Sequence, residues 1–276
     1  MEICLETSSP LNNFHNQIHA HRSIRSYANR AVEPATLERV LSAATRASSS
    51  GNMQAYSIIV TSDRELREKL YRPHFEQSMV LDAPVLLTFC ADFRRMRRWL
   101  ALREAPDNFD NFMSFMIATI DAVLASQNAA LAAEVEGLGI CYMGTTLANC
   151  FEIAEILQCP PGVVPIVGFS IGHPAENPAP RDRLPLDLLV HRECYQDPSD
   201  EKLLAGYHER EVSGWKRYMV DPQLRARTEE AGVRNLAQVY TQLKYTRESH
   251  QEYSQTVLAC LKKQGFLTDL DVVSMG

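Results

Sequence analysis

The chain has no excess of positive charge, no paired-cysteine spacing, no repeat or low-complexity block, and no long apolar stretch free of polar groups. Each absence removes a class of function. With 28 Lys and Arg against 34 Asp and Glu, the formal net charge is -6. That is the wrong sign for general binding to a polyanion, whose affinity comes from a positive surface field. Nucleic acid is therefore not an expected partner, although a small anion can still be gripped wherever arginines gather. Seven cysteines, at Cys4, Cys90, Cys141, Cys150, Cys159, Cys194 and Cys260, form no CxxC pair. Reduced and mostly buried thiols are expected rather than a disulfide framework. The opening MEICLETSSPLNNF lacks a basic start followed by an apolar run and a cleavage site, so a cytoplasmic location is expected. The longest apolar tract, Phe112 to Ala133, contains Asp121, Gln127 and Asn128. Those groups are costly among lipid tails, so a core helix is expected there and no membrane span.

What is present points to one substantial core, or one core with an appendage: 276 residues, of which 45% are hydrophobic and 22% charged. Residues 34 to 47 place Leu37, Val40, Leu41 and Ala44 at helical spacing behind a proline suited to a first turn. The polar loop Ser48-Ser49-Ser50-Gly51-Asn52 follows, and then a β-branched run, 56 to 60, suited to a strand. Asp63 can cap a short helix through Leu70, and 85 to 91 reads as a fully buried strand. The tract 112 to 134 is apolar on nearly every face, as expected of a central helix surrounded by protein. Residues 140 to 144 suit a strand or extended loop. A helix then runs through Leu157 to the stop at Pro160-Pro161-Gly162, and 163 to 171 gives a further buried strand. From Asp197 the chain turns strongly polar, with helical stretches around 201 to 211 and 252 to 263. Strands interleaved with helices predict an α+β layer fold.

His21-Arg22-Ser23-Ile24-Arg25 concentrates two guanidinium forks, an imidazole and a hydroxyl, a set matched to a phosphate and to an anionic ring edge. In isolation a solvated basic patch before a helix is the favoured reading. Further stretches give it company: Ser48-Ser49-Ser50 with Gln54, Thr88-Phe89-Cys90-Ala91-Asp92-Phe93, Gly137-Leu138-Gly139 leading to Tyr142-Met143-Gly144, and Gly172-His173-Pro174-Ala175-Glu176-Asn177-Pro178 with Arg181, Arg183, Leu184 and Pro185. In this order and spacing, over about residues 20 to 195, the chain resembles the nitroreductase family. The resemblance is greatest to the branch of oxygen-insensitive NADPH nitroreductases and NADPH:FMN oxidoreductases.

That resemblance implies a nitroreductase-like mixed sheet flanked by helices, in an intertwined homodimer. It implies an N-terminal extension over 1–20, an FMN-binding core over 21–196, and a helical C-terminal extension over 197–276 that wraps or lids the core. By the same resemblance Ser23, Arg181 and Arg183 would grip the FMN phosphate with His21 and Arg22 nearby, and Arg25 would face the N1/O2 edge of the ring. Ser48 and Ser49 would reach FMN from the neighbouring subunit, and Gln77 would read the pyrimidine edge. The backbone of Tyr142, Met143, Gly144 and Thr145 would run along the flavin. A dianionic phosphate needs clustered donors, and the negative charge that reduction leaves on the ring needs a cation beside it. Plainer readings stand beside these roles: a helix-ending turn for the serines, an exposed glutamine for Gln77, a strand end for 142 to 145.

The sequence departs from the family at Gly51, Asn52 and Ala55, where many members carry proline, and register is lost in the tail after about residue 197. Lys216, Arg217, Lys244 and Arg247 are candidates there for a nucleotide 2′-phosphate, with a solvated charged face as the alternative. His15, His19 and His21 have helix-like ligand spacing without an acidic or cysteine partner nearby, so no metal is expected. Arg94, Arg95, Arg97 and Arg98 read as a solvated turn. The implied activity is a ping-pong, two-electron transfer through bound FMN from NADPH or NADH, with NADPH favoured, to a flat nitroaromatic or quinone. Free flavin is an alternative acceptor, and a dehalogenase or a non-catalytic flavin-binding protein are alternative readings.

Overall fold

The structure is a computed structural model that describes residues 10–267, with side-chain environments from Phe14 onward; Cys4 lies outside the described residues. Contacts divide the chain into two compact units, one running up to Ala179 and resuming at Tyr253, the other Pro180–Glu252. The sequence reading placed its boundary at 196/197, where polarity rises.

In the first unit come α1 (Pro10–His19), α2 (Pro34–Ala44), β1 (Tyr56–Thr61), α3 (Arg64–Tyr71), α4 (Met79–Asp82), β2 (Val85–Asp92), α5 (Arg94–Leu102) and α6 (Phe112–Val135). They are followed by β3 (Gly139–Met143), α7 (Thr145–Ala148), α8 (Cys150–Ile156) and β4 (Val163–Gly172). Local chemistry sets several of these limits. Pro34 opens α2 where its missing N–H is no loss. Asp63 caps α3 by accepting from Leu66 N at 2.8 Å.

The four strands form one antiparallel sheet in the order β1-β2-β4-β3. β2 lies inside the sheet and is buried along its whole length, which is why it reads as an unbroken apolar run. Against the sheet lies α6, presenting Ala118, Ala122, Ala125, Ala129 and Ala133, all fully buried. Their spacing puts them on one helix face, and the small side chains allow close approach. Above them pack Leu87, Phe89, Phe169, Ile140 and Ile171, with the rings of Phe89 and Phe169 5.6 Å apart. A second cluster stacks Phe93 on Phe109 at 4.6 Å and is completed by Cys260, Leu261 and Phe266 from the end of the chain.

Three expectations are revised. The helix foreseen through Leu157 is broken at Asn149 into α7 and α8, and the Asn149 amide donates to Pro73 O at 2.6 Å. The arginines from 94 to 98 sit on a helix, α5, rather than a turn. Within one chain α6 is not enclosed on nearly every face: Met113 is 66% and Ile120 52% exposed, and Met116, Val123 and Leu124 are exposed beside them.

The second unit contains α9 (Leu186–Leu189), α10 (Asp200–Val220), α11 (Pro222–Glu230), α12 (Leu236–Val239) with a π turn over Tyr240–Lys244, and the start of α13 (Arg247–Gln264). Its small core is Tyr218, Val233, Leu236 and Val239. Asp221 caps α11 by accepting from Gln223 N and Leu224 N.

Candidate functional site

Residues 21 to 28 are annexed to the free edge of β3. Ser23 pairs with Ile140 in parallel, and Ile24 N donates to Ile140 O at 2.8 Å. Ile24 is buried. Alternation along extended backbone therefore turns Ser23 and Arg25 to the other face, and Arg25 is exposed. This close seating needs Gly139, since a Cβ there would stand 2.6 Å from Ile24 Cγ1.

The segment is pinned from its far side by the stretch after β4. Glu176 Oε1 accepts from Arg25 N at 2.5 Å and from Ser26 N at 3.0 Å. Ala28 N donates to His173 O, and Ala175 N to Ser26 O. Arg22 Nη1 donates to Asn177 Oδ1 at 2.5 Å, and His21 Nδ1 lies 2.5 Å from Glu134 Oε1 on α6. Those two side chains are thus engaged internally. The Arg25 guanidinium makes no hydrogen bond or ion pair among the described residues. Cys141, beside it, has its thiol pushed up by burial, while Arg25 and Ser23 pull it the other way.

At the other end of β3 the predicted residues divide. Tyr142 turns inward, its OH donating to Ser126 Oγ at 3.1 Å and its ring edge-on to Phe169; Met143 is buried. Gly144 is exposed at ordinary helical angles, and a Cβ there would meet nothing within 4 Å. Glycine is not demanded by the backbone here, and its bareness leaves the surface at the strand end open. Thr145 Oγ1 lies 2.8 Å from Nδ1 of His74. Burial lowers the pKa of that histidine to about 4, so the ring is neutral near pH 7. Gln77 is half-buried, its amide nitrogen donating to His74 O at 2.8 Å, which leaves its carbonyl oxygen free to accept.

The serine loop turns through left-handed backbone at Gly51, Asn52 and Gln54, with φ of 55°, 55° and 52°. Proline, held near -65°, cannot occupy the first two. At position 55 it would lack the N–H that Ala55 donates to Asp121 Oδ2 at 3.1 Å. The departures from the family pattern are therefore mutually consistent. Ser48 is exposed, while Ser49 Oγ accepts from Gln54 N at 3.0 Å.

Arg181 and Arg183 belong to the second unit, where they line a cavity of about 490 Å³ with Arg210, Arg217, Tyr218 and Lys244. Arg183 Nη1 donates to Arg181 O and Asp182 O. Asp182, the one acid in that lining, is paired with Arg210 at 2.9 Å. Of the four tail cations singled out from sequence, Arg217 and Lys244 line the cavity, whereas Lys216 and Arg247 do not line it. No group of three metal-ligating side chains occurs among the described residues.

Sequence reasoning missed His74, Glu134 and the anchoring role of Asp121. His74 and Glu134 meet partners 71 and 113 residues away, a pairing with no local signal. Asp121 was conspicuous as an acid inside an apolar tract, which was the available clue.

Comparison with known proteins adds four findings. The sequence model described as Nitroreductase family matches residues 18–173. An oxygen-insensitive NADPH nitroreductase of Salmonella typhimurium is 40% identical over 190 residues, 68% of this chain and 77% of that protein. An FMN reductase (NADPH) of Bacillus subtilis is 33% identical over 215 residues, 74% of this chain and 86% of that protein. Among solved structures, an oxidoreductase from Bacteroides fragilis superposes with a TM-score of 0.84 at 38% identity, covering 92% of this chain and all of that one.

Proposed function

The chain belongs to the nitroreductase family, and we propose that it is an FMN-dependent enzyme that oxidises NAD(P)H and passes two electrons to a flat acceptor. Nitroaromatics and quinones are the acceptors proposed first, with free flavin as the alternative. The reading draws on the relatives, an NADPH nitroreductase and an NADPH-dependent FMN reductase.

The observation that carries it within this chain is a set of uncommitted groups near β3 and the turn after it. Arg25 is a rigidly seated cation whose backbone is fixed by Glu176 and whose guanidinium is unpaired among the described residues. Gln77 keeps a free amide oxygen, and Gly144 leaves open surface at the strand end. These groups fit FMN. When bound, FMN supplies the redox chemistry at its N5 position.

The chain's own part is binding and electrostatics. With FMN bound, Arg25 would stabilise negative charge at the N1/O2 edge, Gln77 would accept from the pyrimidine N–H, and the backbone at Gly144 and Thr145 would line the ring, with His74 holding Thr145 as a neutral partner. Ser23, Arg181 and Arg183 are proposed to hold the phosphate, with His21 and Arg22 as supports rather than ligands. Arg217 and Lys244 are proposed for the nucleotide 2′-phosphate, which favours NADPH over NADH.

A homodimer is part of the proposal. On α6, Met113, Met116, Ile120, Val123 and Leu124 are exposed within one chain, an apolar face that a second copy would cover. Ser48 and Ser49 would then serve the neighbouring subunit's FMN. A cytoplasmic location follows from the need for NAD(P)H. The simplest test is cofactor content: protein purified with FMN should carry about one flavin per chain, and protein that retains none would refute the assignment.

A further inference from the structure

The arginines from 94 to 98 have no part in the proposed flavin site. Residues 94, 98 and 102 recur at helical spacing on α5, with 95 and 99 alongside. This face lines a cavity of about 460 Å³ that also receives Ser57, Asp92, Leu157 and Val163. It shares no lining residue with the groups assigned to the flavin.

The charges in it do not balance. Asp92 is the one acid in the lining, and it is already satisfied, accepting from the Ser57 hydroxyl and lying 3.6 Å from Arg95. Arg95 is used up as well, donating to Gln54 O, Tyr56 O and Ser57 Oγ at 2.7, 3.0 and 3.1 Å. That leaves two cations. Arg94 reaches only Pro161 O at 3.3 Å, and Arg98 has no hydrogen-bond or ion-pair partner among the described residues. Arg94 also sits in the first turn of α5, where the nearby acid, Asp92, is already occupied in accepting from Arg95 N at 3.4 Å.

Beside Arg98, Trp99 is 57% exposed, and Leu157, Pro160 and Val163 add apolar surface to the lining, with Gln158 and Cys159 among them. A ligand that satisfies this lining needs one anionic head for a guanidinium fork and a flat apolar body. We propose that this cavity is a second binding site for a planar aromatic carboxylate, its carboxylate on Arg98 and Arg94 and its ring against Trp99.

The test is calorimetric titration of the FMN-loaded protein with 2-naphthoate and with its neutral analogue 2-naphthalenemethanol. Naphthoate should bind, and the alcohol should bind at least about tenfold more weakly, the loss expected for a charged hydrogen bond. Arg98→Ala and Trp99→Ala should each raise the naphthoate Kd by a similar factor, while FMN content and the KM for NADPH stay at wild-type values. Both side chains are exposed, so neither replacement should affect folding; Arg98→Gln, which retains the side-chain length, should behave as Arg98→Ala. The proposal is overturned if the wild type does not bind naphthoate, if the alcohol binds equally well, or if the variants bind naphthoate unchanged.

Discussion

Asp121, fully buried on α6, accepts the backbone N–H of Ser50 through Oδ1 at 2.9 Å. Its other oxygen takes the N–H of Ala55. One carboxylate thus ties the middle of the serine loop to the start of the chain leading into β1. Asp121→Ala leaves two donors unpaired, one buried and one part-buried, each costing about 1 to 3 kcal/mol, so a loss of about 2 to 6 kcal/mol is expected in chemical denaturation. Asp121→Asn should lose roughly half as much, because one donor then faces an amide NH2. Wild-type stability of both variants would remove Asp121 as the anchor.

Gly139 and Gly144 make a matched pair of tests. Gly139→Ala drives a Cβ into Ile24 and should displace the segment carrying Arg25. A cost of about 1 to 3 kcal/mol, together with weaker FMN binding, is expected. Gly144→Ala meets open space and helical backbone, so stability should hold while FMN affinity falls. Equal FMN affinity in Gly144→Ala and wild type would show that the ring lies elsewhere.

The legible parts of the fold are those whose signal is local. β2 is an apolar run because both its faces are covered, and α2 shows its buried stripe through Val40 and Ala44. The openness of α6 was not legible, since Ile120 and Met113 look the same in sequence whether this chain or another covers them. Arg94 to Arg98 misled for a related reason: four charges in five residues suggest a solvated turn, yet Met96 between them packs on the second core cluster and holds the stretch as a helix. In the site, the segment from His21 to Arg25 was legible as a cation cluster. Its division of labour was not, because Glu134 and Asn177, which engage His21 and Arg22 and leave Arg25 free, are distant in the chain.

His74 supplies a pH dependence. Its folded-state pKa is lowered to about 4 by burial, from an ordinary 6.5. Between those values the unfolded chain binds the extra proton, so stability is full above pH 6.5 and declines as pH falls toward 4. The contribution is up to about 3 kcal/mol. Denaturant midpoints measured across this range should fall more steeply for wild type than for His74→Gln; parallel curves would contradict the assignment.

Ile120→Asp tests the apolar face of α6. The side chain is exposed within one chain, so folding should be little affected. Light scattering should show a mass twice the 31.1 kDa of one chain for wild type and a shift toward one chain for the variant. A monomeric wild type, or a variant dimer as tight as wild type, would refute this interface.

The central claim is tested most directly by anaerobic stopped-flow mixing of the FMN-loaded protein with NADPH, followed by a nitroaromatic or a quinone. The account predicts rapid bleaching of the flavin's visible absorbance and its return when the acceptor is added, with Arg25→Ala slowing the bleaching. Bound FMN that neither NADPH nor NADH can bleach would contradict it.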